Sequence, residues 1–159
     1  MSLTAELNLQ ARKRRKYNGL KITEADKWFS RCVRERNEWI CEGCGKKYPE
    51  LDRGIHCSHY FSRGNWAVRL EPLNAFAHCF ACHQRLGSNP HLFVEWTQSI
   101  LGKKYDVLVE LSQDIVRAKT YRATKGLGEI AKHYEKEYMR ILELRASGVT
   151  GRIEFVGWI

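Results

Sequence analysis

The sequence predicts an α+β fold, in which a small ββα core closes around four cysteines and is embedded in a mainly helical chain. Two Cys-x-x-Cys pairs, Cys41–Cys44 and Cys79–Cys82, flank a stretch with strand composition. Helical periodicity of apolar residues marks the chain on both sides of that stretch. The length of 159 residues and the hydrophobic fraction of 43% suit one small globular domain with helical additions.

The chain opens with a basic block at residues 11–21, which ends near the turn signal Asn18-Gly19. We assign residues 1–21 to a basic N-terminal arm. Such an arm can lie along phosphates, and a solvated tail without a role explains it equally well. The candidate DNA contacts in it are Arg12, Lys13, Arg14 and Arg15.

A first helix is predicted from Thr23 to about residue 38. Thr23 and Asp26 have the spacing of a capping box, with Asp in place of Glu. Apolar residues then recur at helical intervals, which predicts an amphipathic helix. This helix delivers the chain to Cys41.

The segment between the two cysteine pairs predicts the ββα core. Residues 45–54 contain Pro, Asp and Gly and indicate a loop. Residues 55–61 and 66–70 have strand composition and flank a turn at 62–65. Residues 76–86 are predicted to form the helix with the second cysteine pair.

Three apolar stripes follow, at residues 90–101, 107–116 and 130–144, and each predicts a helix. We therefore divide the rest of the chain into a core with its leading helix at 22–90, a helical extension at 91–148, and a tail at 149–159. The extension is expected to serve in DNA contacts or in dimerisation, although packing within one chain would use the same apolar residues.

The four paired cysteines predict a structural zinc site. Two Cys-x-x-Cys pairs supply four thiolates, which complete a tetrahedron and leave no position open for water. The first residues lack the apolar stretch of a signal peptide, and no apolar run could cross a bilayer. We therefore expect a soluble, cytoplasmic protein with metal-binding cysteines and no disulfides. Cys32 and Cys57 are interpreted as small buried hydrophobic residues.

The charge balance favours a polyanionic partner. Lys and Arg number 27 against 18 Asp and Glu, a net charge of +9. Nucleic acid is the commonest such partner. Charge alone fits a merely soluble basic protein equally well.

A second group of polar residues, His59, Asn74 and His83, follows the order His…Asn…His around the second cysteine pair. Phosphodiester hydrolysis needs a water made nucleophilic and a cation that stabilises the phosphate. A neutral imidazole is a suitable base for the water. A ligand on the facing helix can hold a divalent metal, and Asn74 can orient the base.

These residues resemble the HNH, or ββα-metal, nucleases. The similarity is closer to the phage NinG (Rap) recombination proteins, over about residues 21–142. It lies in C-E-G-C-G-K (41–46), H-C-S-H-Y-F-S-R-G-N-W-A-V-R (56–69), N-A-F-A-H-C-F-A-C-H (74–83) and L-G-S-N (86–89).

The resemblance implies that His59 is the general base, Asn74 the orienting residue and His83 a ligand of catalytic Mg²⁺ or Mn²⁺. Many HNH motifs have Asp immediately before the base, and Ser58 stands there in this chain. His56 or a water is then the candidate second ligand. The implied activity is an endonuclease of branched DNA, such as Holliday junctions or D-loops. It would serve phage recombination in the bacterial host cell, as a homodimer or with recombination proteins.

Residues near the base are candidate phosphate contacts, namely Arg63, Asn65 and Arg69, with a solvated hairpin edge as the alternative. Trp66 is interpreted as core in preference to a wedge between bases. His78 and His91 are expected at the surface. Two other functions remain open: a non-catalytic zinc-stabilised nucleic-acid-binding module, and a sequence-preferring HNH nicking or homing nuclease.

Overall fold

The computed structural model describes residues 16–17, 20–124 and 128–159. The basic residues Arg12, Lys13, Arg14 and Arg15 lie outside these ranges. The first described elements are two short antiparallel strands, β1 (Lys16–Tyr17) and β2 (Leu20–Lys21).

Helix α1 spans Glu24–Arg36 and begins with the predicted capping box. The Asp26 backbone N–H donates to Thr23 Oγ1 at 3.2 Å, and the Thr23 N–H donates to Asp26 Oδ2 at 2.7 Å. These bonds satisfy donors that an uncapped helix start would leave unpaired. The apolar face of α1 is buried, with Phe29 and Val33 at its centre.

The ββα order is confirmed, but its second strand lies elsewhere than predicted. Strand β3 (Ile55–His59) pairs antiparallel with β4 (Ala75–Cys79), and His59 stands opposite Ala75. Helix α2 (Phe80–Gly87) follows β4 without a break. The strand predicted at 66–70 is part of a loop, which ends in a 3₁₀ turn at Pro72–Asn74.

The error has a physical cause in the burial of β4. Every residue of this strand is buried, so its apolar run lacks the alternation that marks a half-exposed strand. A short continuous apolar run of this kind resembles a buried helix segment. The predicted helix therefore began at Phe76, four residues too early.

Four further helices complete the described chain: α3 (Pro90–Leu101), α4 (Lys104–Ser112), α5 (Ile115–Ala123) and α6 (Gly128–Ala146). The stripe predicted as one helix at 107–116 is divided between α4 and α5. Asp114 causes the division, because its carboxylate accepts from the Arg117 N–H at 2.9 Å and so caps α5. Within the described ranges, no helix has both the length and the apolar character needed to cross a membrane.

The main core forms between α1, α6 and the C-terminal residues. Tyr134 and Ile141 of α6 pack against Phe29 of α1, and Phe155 closes the cluster. The Ile153 N–H donates to the Arg36 carbonyl at 2.9 Å. The tail at 149–159 and the last helix therefore share one hydrophobic core with residues 22–90, and the apolar stripe of α6 is used inside the chain.

Candidate functional site: a four-cysteine centre and a histidine pocket

Four cysteine side chains meet where α1, β4 and α2 converge. The sulfur atoms of Cys41, Cys44, Cys79 and Cys82 all lie within 4.8 Å of one another, and no disulfide joins them. Cys44 Sγ and Cys79 Sγ are 3.8 Å apart. A zinc tetrahedron with Zn–S bonds of about 2.3 Å has S–S edges of about 3.8 Å. The four thiols therefore fit a metal ion such as zinc.

Two sulfur atoms of the cluster accept hydrogen bonds from backbone N–H groups. The Cys79 N–H donates to Cys41 Sγ at 3.2 Å, and the Cys82 N–H donates to Cys79 Sγ at 3.5 Å. Burial raises the pKa of Cys79, but these neighbouring N–H and thiol groups lower it to about 7. Gly43 lets the two cysteine pairs approach, because a Cβ there would lie 2.9 Å from Cys82 Sγ. Between residues 20–124 and 128–159, no second group of three or more metal-ligating side chains converges in this way.

The three predicted site histidines line one cavity of about 840 Å³ beside the cysteine centre. His56 and His59 project from β3, and His83 projects from α2. The pairing of β3 with β4 and the junction of β4 with α2 bring these elements together. Three arginines also line the cavity, namely Arg34, Arg53 and Arg63. We call this cavity the histidine pocket.

His59 is held in a defined tautomer. Its Nε2 lies 3.0 Å from the Arg69 carbonyl oxygen, and a carbonyl can only accept. Nε2 therefore has the proton, and Nδ1 is the basic nitrogen. Burial of the ring, followed by the positive charge of Arg63, lowers the pKa of His59 to about 3. The imidazole is therefore neutral at physiological pH.

His56 and His83 form an adjacent pair, with ring centroids 5.4 Å apart. The Nδ1 atom of His83 is buried and has no hydrogen-bond partner. Burial lowers the pKa of both rings. The positive charge of Arg34 lowers the pKa of His56 further, and neighbouring His56 lowers the pKa of His83 further. Two neutral imidazoles can ligate a divalent cation. No described residue lining the pocket is a carboxylate.

Asn74 acts on the loop between β3 and β4 and is fully buried. Its Oδ1 accepts from the Phe61 N–H at 2.7 Å. Its Nδ2 donates to the carbonyls of Phe61 and Val68, both at 2.9 Å. The amide oxygen and the amide NH₂ group of Asn74 both bond the loop that presents the Arg69 carbonyl to His59. Asn74 therefore holds in place the loop whose Arg69 carbonyl contacts His59.

The structure contradicts one predicted phosphate contact, Arg69, and places the Asn65 amide in hydrogen bonds within the chain. Arg69 is only 1% exposed, and its guanidinium bonds both carboxylate oxygens of Asp26, at 2.9 and 2.7 Å. The amide of Asn65 accepts from the Ala67 N–H at 3.1 Å and donates to the Ser112 carbonyl at 2.9 Å. Both side chains hold the β3–β4 loop in place, and Arg63 alone of the three predicted residues lines the pocket.

Trp66 and the remaining histidines are also placed by the structure. Trp66 packs against the main core with the Arg69 guanidinium 4.3 Å above its ring, so its interpretation as core is confirmed. His91 is exposed as expected. His78 is not at the surface: it is fully buried in β4 and packs against the ring of Trp96 at 4.7 Å.

Arg34 and Arg53 line the pocket but were not among the site residues predicted from the sequence. Arg34 lies on α1 next to its apolar face, and this helical spacing was the one sequence signal that could have placed it near the core. Arg53 lies in the loop before β3, where no local pattern distinguishes it from other surface arginines. Arg117 of α5 was missed as well; it donates to the Ala67 carbonyl at 2.7 Å and pairs with Glu71 at 2.5 Å, which anchors the β3–β4 loop.

Comparisons with models of protein families, with curated proteins and with solved structures found no match to this chain.

Proposed function

We propose that this protein is a metal-dependent DNA endonuclease of the HNH type that cuts branched recombination intermediates. One observation supports it above all. The ββα unit brings a neutral histidine of defined tautomer, a histidine pair and arginine side chains into one pocket. Base, metal ligand and phosphate contacts are the parts that phosphodiester hydrolysis needs. A non-catalytic binding module has no need for a fixed basic nitrogen in its pocket.

His59 acts as the general base. Nδ1 takes a proton from the water that attacks phosphorus, while Nε2–H stays bonded to the Arg69 carbonyl. This bond strengthens as the ring becomes a cation, because a charged donor makes the stronger hydrogen bond. Burial of the ring is the larger cause of the low pKa of His59, and the positive charge of Arg63 is the next. A phosphate beside Arg63 offsets that charge and raises the pKa of His59 toward a value useful for proton transfer.

His83 holds the catalytic metal, with His56 as its second ligand. The buried, unpartnered Nδ1 of His83 supports this assignment, since a buried nitrogen without a partner is costly unless something binds it. A divalent cation bound there supplies positive charge to the phosphate and the leaving oxygen. Imidazole ligands without a carboxylate suit a transition metal such as Mn²⁺ better than Mg²⁺, which prefers oxygen.

The cysteine centre supports the site without taking part in the chemistry. A closed tetrahedral metal ties the turn after α1 to β4 and α2, so His83 is held facing β3. The sequence resemblance supports the branched substrates, the setting of phage recombination and a homodimer that cuts opposed strands.

The proposal is tested by cleavage of matched four-way-junction, flap and linear duplex DNAs with Mn²⁺, Mg²⁺ or EDTA. The variants are His59→Ala and His59→Gln, which retains an N–H donor for the Arg69 carbonyl but has no basic nitrogen. His91→Ala is the matched control, since His91 is exposed and outside the pocket.

We expect metal-dependent cutting that prefers the junction. Both His59 variants should bind DNA and lose about a hundredfold or more in rate, while His91→Ala cuts normally. Full activity in the His59 variants would show that the base is misassigned. Equal cutting of all substrates would leave an HNH nuclease without support for a role in recombination. Binding without cutting under any metal would favour the non-catalytic module.

A further inference from the structure

We propose that Phe80 is a stacking surface for an unpaired base, so that the histidine pocket takes a single DNA strand in preference to continuous duplex. The inference deepens the proposed function, because it names the structural class of the substrate. It depends on three features of the described residues: an exposed aromatic ring, a row of flat rings that leads from it to the pocket, and a basic wall beside that row.

Phe80 is exposed to 63% of its surface. Of the Phe, Tyr and Trp side chains whose burial is described within 20–124 and 128–159, Phe80 alone is exposed. Phenylalanine is normally among the most buried residue types. Phe80 occupies one of the two intervening positions of the second Cys-x-x-Cys pair, and the other position is Ala81. The metal cluster therefore imposes no need for a large ring there.

Two imidazole rings that line the pocket follow the ring of Phe80 in space. Its centroid is 6.2 Å from that of His56, and the His56 centroid is 5.4 Å from that of His83. A base stacked on Phe80 would place its neighbouring phosphate toward these imidazoles. Stacking on an aromatic ring uses a π-face that every base has, so it does not depend on sequence.

The wall beside this row is basic. Arg34, Arg53 and Arg63 line the histidine pocket and also line an adjoining shallower cavity of about 470 Å³, which Lys27 and Arg31 extend along α1. Asp26 is the only carboxylate lining the described part of this wall. It is 3% exposed and paired with Arg69, so it does not oppose a phosphate.

A positively charged groove beside aromatic rings is the combination with which proteins bind single-stranded nucleic acid. In continuous duplex the π-faces of bases are covered by their neighbours, whereas they are accessible at flaps, gaps and branch points. Phe80 therefore favours DNA in which a base has left the stack, and the arginines hold its backbone.

The test reads binding alone, by fluorescence anisotropy of a labelled 20-nucleotide strand and of the matched duplex, without added divalent metal. Phe80→Ala and Phe80→Leu remove the ring, and Phe80→Tyr retains it. Val116→Ala is the matched control, because Val116 is a 74% exposed apolar residue of α5 outside the pocket. Each variant is checked for bound zinc, since Phe80 lies between two cysteines of the metal cluster.

We expect Phe80→Ala and Phe80→Leu to weaken binding of the single strand about tenfold and to change duplex binding by less than about twofold. Phe80→Tyr and Val116→Ala should bind as the wild type does. If Phe80→Ala loses zinc, the comparison of Leu with Tyr decides the question. Equal affinity of Phe80→Leu and Phe80→Tyr for the single strand would overturn the inference.

The basic wall has its own test. Arg53→Gln should reduce the salt dependence of single-strand binding by about 0.7 in the log–log slope, as expected for one lost phosphate contact. Arg122→Gln, an exposed arginine of α5 outside the pocket, should leave the slope unchanged. Equal slopes for Arg53→Gln and the wild type would remove Arg53 from the wall.

The two proposals can fail separately. If the protein cuts DNA but its affinity for the single strand does not depend on the Phe80 ring, the nuclease proposal stands and the stacking proposal is refuted. If single-strand binding depends on Phe80 but no DNA is cut, the stacking proposal stands and the nuclease proposal is refuted.

Discussion

The substitution Arg69→Met tests whether Arg69 stabilises the fold or contacts phosphate, as its place in the sequence predicted. The guanidinium makes two hydrogen bonds to Asp26 and a third to the Lys21 carbonyl at 2.7 Å. The side chains of Arg69 and Asp26 are 2% and 3% exposed. Arg69→Met keeps the length of the side chain and leaves the carboxylate of Asp26 buried without its partner. Breaking one side of a buried ion pair costs about 3–5 kcal/mol, a large part of a typical stability of about 5–15 kcal/mol.

The measurement is urea unfolding of the zinc-loaded protein, followed by tryptophan fluorescence. The double variant Asp26→Leu/Arg69→Met should recover part of the loss, because it leaves no unpaired buried charge. Recovery is incomplete, since Asp26 also belongs to the capping box with Thr23 and a lost cap costs about 1 kcal/mol. Glu24→Gln is the matched control on the same helix. It breaks a pair with Lys27 in which Glu24 is 65% exposed, so its effect should stay within about 0.5 kcal/mol.

The Asp26–Arg69 pair should also make the free energy of unfolding depend on pH in the acid range. Burial raises the pKa of Asp26, but the hydrogen bonds and charge of Arg69 and the bonds from Thr23 outweigh burial, so that the folded pKa lies below 3.8. A lowered folded pKa means that the contribution to stability is complete above about pH 4 and is lost as the pH falls through the folded value.

A loss below about 1 kcal/mol in Arg69→Met, together with weaker DNA binding, would refute the structural role and restore the phosphate contact.

Three further outcomes are expected. Elemental analysis should find about one zinc per chain, and Cys79→Ser or a strong chelator should unfold the protein in circular dichroism, because metal binding is coupled to folding; folded protein without metal would contradict the cysteine site. Asn74→Ala should cost about 2–4 kcal/mol in urea unfolding, since it leaves buried backbone groups of Phe61 and Val68 unpaired; an unchanged midpoint would refute its positioning role. Cleavage should be faster with Mn²⁺ than with Mg²⁺ and should be lost in His83→Ala, whereas equal rates with both metals would argue against imidazole ligands.

Local patterns predicted the elements whose interactions lie close together in the chain. The capping box of Thr23 and Asp26 joins residues three positions apart, and the structure has both of its bonds. The Cys-x-x-Cys pairs are also local, and their convergence follows from the need to complete a tetrahedron. The order of strand, strand and helix was predicted for the same reason, although β4 was placed too early because its complete burial removed the alternation of apolar and polar residues.

The direction of the polar side chains could not be predicted in the same way. Asn65 lies in a polar, glycine-containing turn and Arg69 in the apolar run after it, a pattern that fits a surface hairpin. Their partners Ser112 and Asp26 are nevertheless 47 and 43 positions away. Arg34 and Arg53 have no neighbour in sequence that marks them as parts of a pocket with His59. Packing of α1 against the β3–β4 hairpin brings Arg34 there, whereas Arg53 lies two residues before β3.

By itself, therefore, the sequence determined the capped first helix, the four cysteines able to bind zinc, the mixed α+β class and the histidines of the site, because spacing along the chain defines each of them. The tertiary structure alone decided which arginines line the pocket, which are buried in ion pairs, and that the Asn74 amide bonds the loop whose Arg69 carbonyl contacts His59. The physical reason is that a buried charge or amide is stabilised by whichever partner folding brings within about 3 Å. In this chain those partners come from α1, α4 and α5, far from the motif in sequence.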